Sequence, residues 1–139
     1  IISRSKSVFL NDRLQSHGLT AGQFPVLMLL SHRQNIIQEE LVRHYRLDKG
    51  TIARAVKKLE EAGYIRRITD PGNRRAVRLF LTKKGEKIIP GLRAINQEWE
   101  AGICSGLTRT EIHTLNSLMR HVAARSFSLL RENGDACHE

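Results

Sequence analysis

The length, composition and charge of the chain exclude several classes of protein. With 139 residues, of which 40% are hydrophobic and 27% charged, the chain is long enough for one domain with an extension and too apolar for a disordered tail. No apolar run approaches the roughly 18 residues of a membrane helix, no signal peptide is recognisable, and two cysteines make no disulfide framework, so we expect a cytoplasmic protein.

The net charge of +9 is concentrated in the middle of the chain. Residues 33–84 carry 14 of the 23 Lys and Arg but only 6 of the 14 Asp and Glu. Such an excess suits nucleic acid or an anionic membrane surface, and the total alone does not choose between them. Because a merely soluble basic protein would spread its charge more evenly, the middle segment is where we expect a polyanionic partner to bind.

Two helices are predicted in the first quarter of the chain. Apolar residues at helical spacing predict a helix over residues 3–17, which ends at Gly18 because glycine accepts the left-handed conformation without a Cβ penalty. Thr20 and Gln23 have the spacing of a capping box, which predicts a second helix from there to Ser31. The apolar residues of this helix are nearly continuous, so we expect it to be largely buried.

Two short helices with a tight turn between them are predicted next. The first covers residues 35–45 and turns Ile37 and Leu41 inward. Asp48 has a side-chain oxygen that can cap the N-terminus of the second helix, residues 49–62. The inner stripe of this second helix consists of apolar residues at helical spacing, namely Ile52, Ala55, Val56 and Leu59.

After this helix the sequence changes to the two-residue period of a β-hairpin. We predict strands over residues 65–69 and 76–81. Between them, Asp70-Pro71-Gly72-Asn73 is a strong turn signal, since proline fixes φ while glycine and asparagine accept positive φ. Two helices joined by a tight turn and followed by a hairpin make a winged helix-turn-helix.

Two more helices complete a mainly α (α+β) fold. One is predicted over residues 82–102, capped by Thr82 and kinked or broken at Pro90. The other is predicted over 108–132, after a capping box of Thr108 and Glu111. An arm of two amphipathic helices does not bury both faces alone, so a second copy is expected, the alternative being an arm folded back in a monomer. We predict a winged helix-turn-helix domain over 20–82 and a helical dimerisation region over 1–19 and 83–139.

The outer face of the predicted helix 49–62 suits the major groove of double-stranded DNA. An amphipathic helix buries one face and lays the other in the groove, where each base pair shows a distinct donor and acceptor pattern. Taken alone, this face is explained more simply as a solvated charged surface. If it binds DNA, the N-terminal residues should reach the bases, Arg54 with a fork that fits guanine, and the later lysines should contact phosphates. The predicted base contacts are Lys49, Thr51 and Arg54, and the predicted phosphate contacts are Lys57 and Lys58.

The basic hairpin favours the DNA-binding hypothesis. Seven Lys and Arg lie between residues 66 and 84, against the single acidic residue Asp70. An exposed tip with arginines can enter the minor groove, where narrow A·T tracts concentrate negative potential. Arg74 and Arg75 are the candidates, with the alternative that one of them pairs with Asp70 and braces the turn.

Motifs in a fixed order resemble those of a known family. They are Gly18-Leu19-Thr20, Gln23-Phe24, Gln38-Glu39-Glu40-Leu41, Asp48-Lys49-Gly50-Thr51-Ile52, residues 58–67, Asp70-Pro71-Gly72-Asn73-Arg74-Arg75 and Leu81-Thr82-Lys83-Lys84-Gly85. Over residues 8–130 the chain resembles the MarR family of transcription regulators. The resemblance implies a homodimer whose first and last two helices interlock, with each winged domain on one half-site of an operator, and a repressor function.

Two residues depart from the family pattern. Asn73 replaces an acidic residue found in many members, so the bracing of the wing is expected to differ. Ile37 stands where a Ser or Thr N-cap is usual, so Asn35 is expected to start that helix instead.

The resemblance also implies a possible effector, since many members bind phenolic or other aromatic anions in a cleft between the dimer arm and the winged domain. In this chain such a cleft would be lined by Phe9, Arg13 and His17, together with Phe24 or Met28. Hydrophobic packing explains the same residues equally well. No cofactor is expected.

Other classes of function have weaker support in the sequence. There is no Gly-rich phosphate loop, no nucleophile elbow and no His-Glu-x-x-His motif, so we do not expect an enzyme. A protein-binding adaptor would use the basic helix and wing on an acidic surface. A redox-responsive regulator would use Cys104 or Cys137, and neither has activating neighbours in the sequence. A metal-responsive regulator would use ligands whose spacing fits no usual zinc site. Those candidate ligands are Cys104, His113, His121, Cys137 and His138.

Overall fold

The computed structural model describes the backbone of residues 1–135 and the side chains of residues 1–129. None of the described helices is long and apolar enough to cross a bilayer. In chain order the elements are α1 (Ile2–Leu14), a 3-10 turn (Gln15–His17), α2 (Phe24–His32), β1 (Ile36–Ile37), α3 (Gln38–Tyr45), α4 (Lys49–Glu61), β2 (Ile65–Asp70), β3 (Asn73–Leu81), α5 (Lys83–Ile103) and α6 (Arg109–Asp135).

One hydrophobic core holds together the first of two compact units, which runs from Ile1 to Trp99. Helices α2, α3 and α4 and the sheet supply most of this core. Leu14 of α1 and Leu92 of α5 are as fully buried in it as Leu59 of α4. Within the single chain, α1 and most of α5 therefore pack with the winged domain. The boundaries at 19/20 and 82/83 stay a prediction.

The three strands form an antiparallel sheet in the order β1-β3-β2. Strand β1 pairs with β3 through Ile36 opposite Leu79, and β2 pairs with β3 from Ile65 opposite Leu81. The register shifts near the tip, from Thr69 opposite Val77 to Asp70 opposite Asn73, so that residues 74–76 have no counterpart on β2. The hairpin and its turn are as predicted, and the bulge near its tip is an added feature.

Several predicted helix ends are confirmed by their hydrogen bonds. Gly18 takes a left-handed conformation with φ 67°, and the Asp48 side chain accepts a hydrogen bond from the Thr51 backbone N–H. Thr108 and Glu111 form a reciprocal capping box. The Thr108 N–H donates to Glu111 Oε2 at 2.7 Å, and the Glu111 N–H donates to Thr108 Oγ1 at 3.2 Å.

Helix α2 begins at Phe24, so the prediction that it starts at the capping box of Thr20 and Gln23 is wrong. The two residues do interact, since the Thr20 N–H donates to Gln23 Oε1 at 2.8 Å. They close a separate turn, because Pro25 has no N–H and leaves the Ala21 carbonyl without its helical donor. Proline in the first turn of a helix costs nothing, which explains a start next to Pro25.

Helix α3 begins at Gln38, and the prediction that Asn35 starts it is wrong. Ile37 is the N-cap with extended backbone and no side-chain cap, while Asn35 has a left-handed φ of 62°. Ile36 and Ile37 instead form β1, because the sheet edge on β3 supplies backbone partners and β-branched residues suit a strand.

The second compact unit begins at Glu100 and contains the last residues of α5 and all of α6. Helix α6 is 27 residues long. Its side chains are described up to residue 129, and none of those side chains is buried. Helix α5 continues without a break through Pro90. Cys137 and His138, considered above as ligands, lie outside the described residues.

Candidate nucleic-acid interface

Helix α4 has one buried face and one exposed face. Ile52, Val56 and Leu59 are buried at 1% exposure or less, and Ala55 is buried beside them. The predicted apolar stripe is therefore confirmed. The opposite side is exposed and carries four cationic side chains, namely Lys49, Arg54, Lys57 and Lys58.

A hydrogen-bonded network orders the N-terminus of α4. Asp48 Oδ1 accepts from the Thr51 N–H at 2.9 Å, and the Thr51 hydroxyl donates to Asp48 Oδ2 at 2.5 Å. Arg54 Nη2 then donates to Thr51 Oγ1 at 3.0 Å. The hydrogen bonds from the Thr51 hydroxyl and N–H lower the pKa of Asp48, with a smaller contribution from the charge of Arg54. Thr51, predicted as a base contact, thus has its hydroxyl engaged within the protein.

The lysines of α4 are more loosely held. Lys57 lies 3.8 Å from Glu61, one turn further along the helix, in an exposed pair of small energetic value. Among residues 1–129, Lys49 and Lys58 make no ion pair. All three can therefore turn toward an anionic ligand at little cost.

Arg74 and Arg75 lie in the bulge near the wing tip and are exposed. Asn73, next to them, accepts the Arg75 backbone N–H on its Oδ1 at 3.1 Å. Neither arginine side chain makes an ion pair with any described residue. Because a bulge bends the strand and redirects its side chains, it leaves both guanidinium groups available for an external partner.

Arg78, rather than Arg74 or Arg75, braces the wing, so the alternative that one of that pair binds Asp70 is wrong. Arg78 Nε donates to Asp70 Oδ2 at 2.7 Å, and its Nη1 donates to Asn35 Oδ1 at 3.1 Å. The reason is the register, since Arg78 lies opposite Ile68 and Asp70 is its diagonal neighbour on the same face. The pKa of Asp70 is lowered by the Gly72 N–H and then by Arg78.

Two further contacts tie the wing strand β2 to its neighbours. Arg67 Nε donates to Glu60 Oε2 of α4 at 2.7 Å, and the Arg66 guanidinium lies 5.0 Å from the centroid of the Phe80 ring. Both arginines belong to the basic hairpin predicted to favour DNA binding. In the structure Arg67 joins β2 to α4, and Arg66 joins β2 to β3. Glu60 and Arg67 are seven residues apart. The one sequence signal for this ion pair is the alternation of side chains along β2, which places Arg67 on the side of the strand that faces α4.

Hydrogen bonds join the end of α4 to the start of α5. Thr82 Oγ1 donates to the Gly63 carbonyl at 2.6 Å, and Lys84 Nζ donates to the Ala62 carbonyl at 2.6 Å. The Tyr64 hydroxyl donates to the carbonyl of His17 at 2.8 Å. The C-terminal end of α4 is thereby fixed both to the start of α5 and to the 3-10 turn that follows α1.

The five residues predicted to line an effector cleft separate into two groups. Phe9 contacts the Trp99 ring at a centroid distance of 5.4 Å and lies under the Arg13 guanidinium. Arg13 in turn binds Glu98 at 2.6 Å, a hydrogen bond that raises the pKa of Arg13 and lowers that of Glu98. His17 is exposed and contributes its backbone carbonyl to Tyr64.

Phe24 and Met28 line a different feature, an open groove of about 360 Å³ between α1, α2 and Tyr45 of α3. Phe9, Arg13 and His17 do not line this groove. Lys6 does, and its Nζ donates to Asn96 Oδ1 at 3.0 Å. The groove wall from α1 was not foreseen, because its residues Ser3, Lys6, Ser7 and Leu10 carry no pattern beyond that of an amphipathic helix.

The described residues contain no group of three His, Cys, Asp or Glu side chains close enough to hold a metal ion. Cys104 is a half-buried free thiol.

A basic helix packed by its apolar face on the hydrophobic core, followed by a hairpin with two exposed arginines at its tip, is the arrangement of a winged helix-turn-helix regulator of transcription. The sequence matches the MarR family model over residues 19–77. YybA of Bacillus subtilis, an uncharacterized HTH-type transcriptional regulator, is 34% identical over 122 residues, which cover 88% of this chain and 81% of that protein.

Solved structures agree with this relationship. A MarR transcriptional regulator from Methanosarcina mazei Go1 superposes with a TM-score of 0.86 at 34% identity, covering 92% of both chains. A mutant of Escherichia coli MarR in complex with operator DNA gives a TM-score of 0.77 at 28% identity, covering 87% of both chains. The chain belongs to the MarR family. It is a DNA-binding transcription regulator and not an enzyme, as the sequence predicted.

Proposed function

We propose that the chain is a homodimeric repressor that places α4 in the major groove and the wing, residues 65–81, in the minor groove of each operator half-site. The observation that carries the proposal is the exposed cationic face of α4 together with Arg74 and Arg75 at the wing tip, which are exposed and form no ion pair with a described residue. The E. coli relative solved in complex with operator DNA supports DNA as the partner. A regulator of this kind acts in the compartment that holds the chromosome, which agrees with the cytoplasmic location expected from the sequence.

The proposed residue roles follow from chemistry and position. Arg54 reads a base through its two-pronged guanidinium, and Lys49 lies near the bases at the helix N-terminus. Lys57 and Lys58 bind phosphates and supply affinity without sequence preference. Arg74 and Arg75 are the minor-groove residues.

The proposed dimer rests on helix α6, which leaves its apolar residues exposed. Leu118 and Val122 are each 60% exposed, and four further large apolar side chains of this helix are each more than 40% exposed. An apolar surface of this extent marks an interface in a globular protein. A second copy is the occupant we propose, since two identical helices bury the same stripe on both partners. The exposed apolar residues of α6 are Leu115, Leu118, Met119, Val122, Phe127 and Leu129.

Selection of bound sequences from random duplexes tests the proposal. We expect a pseudo-palindrome whose half-sites lie about one helical turn apart, because a two-fold dimer presents two equivalent helices. Arg54→Ala should lower discrimination at one base pair per half-site, whereas Lys58→Ala should weaken binding to all sequences alike. A single unrepeated half-site, or no enriched sequence, would contradict the proposal.

We also propose that a small aromatic or phenolic anion acts as the effector, and that it binds the groove lined by Phe24 and Met28. The groove has a volume of about 360 Å³, within the range of ligand pockets, and Lys6 supplies a cation beside its aromatic wall. Titration with benzoate, with toluene-saturated buffer as the uncharged control, should show saturable quenching or thermal stabilisation only for benzoate. The same response in Lys6→Met would contradict this placement.

A further inference from the structure

The orientation of Arg54 in the free protein is set by hydrogen bonds of fixed direction. An ionised carboxylate can only accept hydrogen bonds, so the Thr51 hydroxyl must donate its single proton to Asp48 Oδ2. Its oxygen is then left with lone pairs alone, which can bind only a donor. Arg54 Nη2, at 3.0 Å, is that donor. The three side chains therefore form a one-way relay, in which Arg54 donates to Thr51 and Thr51 donates to Asp48.

Gly50 completes this arrangement from the other side. A Cβ atom added at Gly50 would lie 3.2 Å from Arg54 Nη1 and 3.1 Å from Asp48 Oδ1. Both distances are shorter than ordinary van der Waals contacts, so a side chain here would shift the Asp48 carboxylate and the Arg54 guanidinium by a few tenths of an ångström. Glycine is otherwise unfavourable within a helix, which makes its presence on the exposed face of α4 consistent with a need for space.

The two oxygens of Asp48 have separate tasks. Oδ1 caps the helix by accepting from the Thr51 N–H at 2.9 Å, whereas Oδ2 accepts the hydroxyl proton. Capping needs one oxygen only, and asparagine caps about as well as aspartate. The cap therefore does not require the second carboxylate oxygen of Asp48, whereas the relay through the Thr51 hydroxyl does.

We propose that Asp48 is a positioning residue for DNA reading, which acts through Thr51 to hold the Arg54 guanidinium beside Gly50 in the orientation that meets the base. The inference rests on the proposed base-reading role of Arg54. It assigns Thr51 a supporting role in place of the direct base contact predicted from the sequence. An arginine held in advance loses less side-chain freedom when DNA binds, so the relay favours the matched base pair over its alternatives.

Variants at Thr51 separate the relay from the cap. Thr51→Val removes the hydroxyl while keeping the shape and the backbone N–H, and Thr51→Ser keeps the hydroxyl. Binding is measured to the selected operator and to duplexes substituted at the base pair whose preference Arg54→Ala removes. We expect Thr51→Val and Asp48→Asn to lower discrimination at that base pair by roughly three- to tenfold, Thr51→Ser to restore it, and binding to random duplexes to be unchanged.

A double-mutant cycle distinguishes positioning from direct contact. In an Arg54→Ala background, Thr51→Val should change discrimination no further, because its effect passes through the missing guanidinium. A loss that persists in this background would mean that Thr51 touches the base directly and would overturn the inference. Gly50→Ala should reduce discrimination at the same base pair, with helical circular dichroism retained as the check on folding.

The failure of this inference differs from the failure of the proposed function. If Arg54→Ala abolishes discrimination while Asp48→Asn and Thr51→Val keep the wild-type value, the relay is refuted and base reading stands. If Arg54→Ala itself leaves discrimination intact, base reading by Arg54 is refuted, and the relay with it.

Discussion

At the scale of single residues, the structure explains a glycine whose role the sequence did not reveal. Gly85 is buried in the first turn of α5, where an added Cβ would lie 2.1 Å from the Tyr64 carbonyl oxygen. That oxygen accepts the Thr82 N–H at 3.0 Å, and so the backbone there cannot retreat without losing a hydrogen bond. The resemblance included Gly85 in a motif, but only the close approach of α5 to the end of α4 gives the physical reason.

We expect Gly85→Ala to lower the free energy of unfolding by roughly 3 kcal/mol, the upper part of the range for overpacking. Gly91→Ala is the matched control on the same helix, because an added Cβ there meets nothing within 4 Å. Alanine at position 91 should raise stability by roughly 0.5–1 kcal/mol through helix propensity. Urea unfolding at one protein concentration measures both, and equal stabilities for the two variants would contradict the close approach.

A second residue-scale prediction concerns Asp70 and pH. Because folding lowers the pKa of Asp70, through the Gly72 N–H first and Arg78 second, the ionised carboxylate stabilises the fold. This contribution is present above the unfolded pKa of about 3.9 and is lost as the pH falls through the lower folded value.

The difference in Tm between wild type and Asp70→Asn should therefore be positive at pH 7 and should shrink as the pH falls below about 4. A thermal melt series from pH 7 to pH 3 measures it. A difference that stayed constant over the whole series would show that the charge of Asp70 contributes nothing to stability.

At the scale of elements, the sequence predicted what depends on near neighbours. The cap at Asp48, the capping box of Thr108 and Glu111 and the hairpin turn all involve residues within a few positions of each other. The start of α3 was missed because the strand before it exists only through pairing with Leu79 and Arg78, about forty residues away. The brace from Arg78 to Asp70 was missed for a different reason, since the two residues are only eight apart but the bulge in the hairpin changes the register between them.

The wing offers a matched pair of arginines for a test at this scale. Arg78→Ala removes a partly buried pair with Asp70 and should lower the free energy of unfolding by roughly 1 kcal/mol. Arg75→Ala touches no ion pair of the described residues and should change stability by less than roughly 0.5 kcal/mol.

The two variants should also differ in DNA binding. Arg75→Ala should reduce the steepness of log K against log salt by about 2 for the proposed homodimer, because one cation is lost from each of two half-sites and each contributes about 1. Urea unfolding and salt titrations of operator binding measure the two properties. A stability loss for Arg75→Ala larger than that for Arg78→Ala would overturn the assignment of the brace.

At the scale of the whole molecule, amphipathic helices were predictable but their partners were not. The sequence showed that the last helix is apolar on one side, and its described residues are indeed left exposed. For the five residues predicted to line the effector cleft, the sequence did not show which side chains they contact. Arg13 and Phe9 form a cluster with Glu98 and Trp99, which are distant in sequence, and this pairing could not be derived from local spacing.

Charged substitutions on α6 test the proposed dimer. Leu118→Glu should yield a monomer at micromolar concentration, because a buried unpaired carboxylate disfavours the interface. Ser117→Glu places the same charge on the far side of the helix and should stay dimeric. Sedimentation velocity measures both, and a dimer that persisted in Leu118→Glu would require a different interface.

The central claim is that the outer face of α4 and the tip of the wing contact the same duplex, in adjacent grooves. The most direct measurement is affinity cleavage with a cutting reagent tethered to a single cysteine, at Asn73→Cys or at Ala53→Cys, after Cys104 and Cys137 are replaced by serine. We predict cuts from both tethers within each half-site, those from the wing in the minor groove about half a helical turn from those of α4. Cuts from only one tether, or cuts that fall at unrelated positions, would contradict the account.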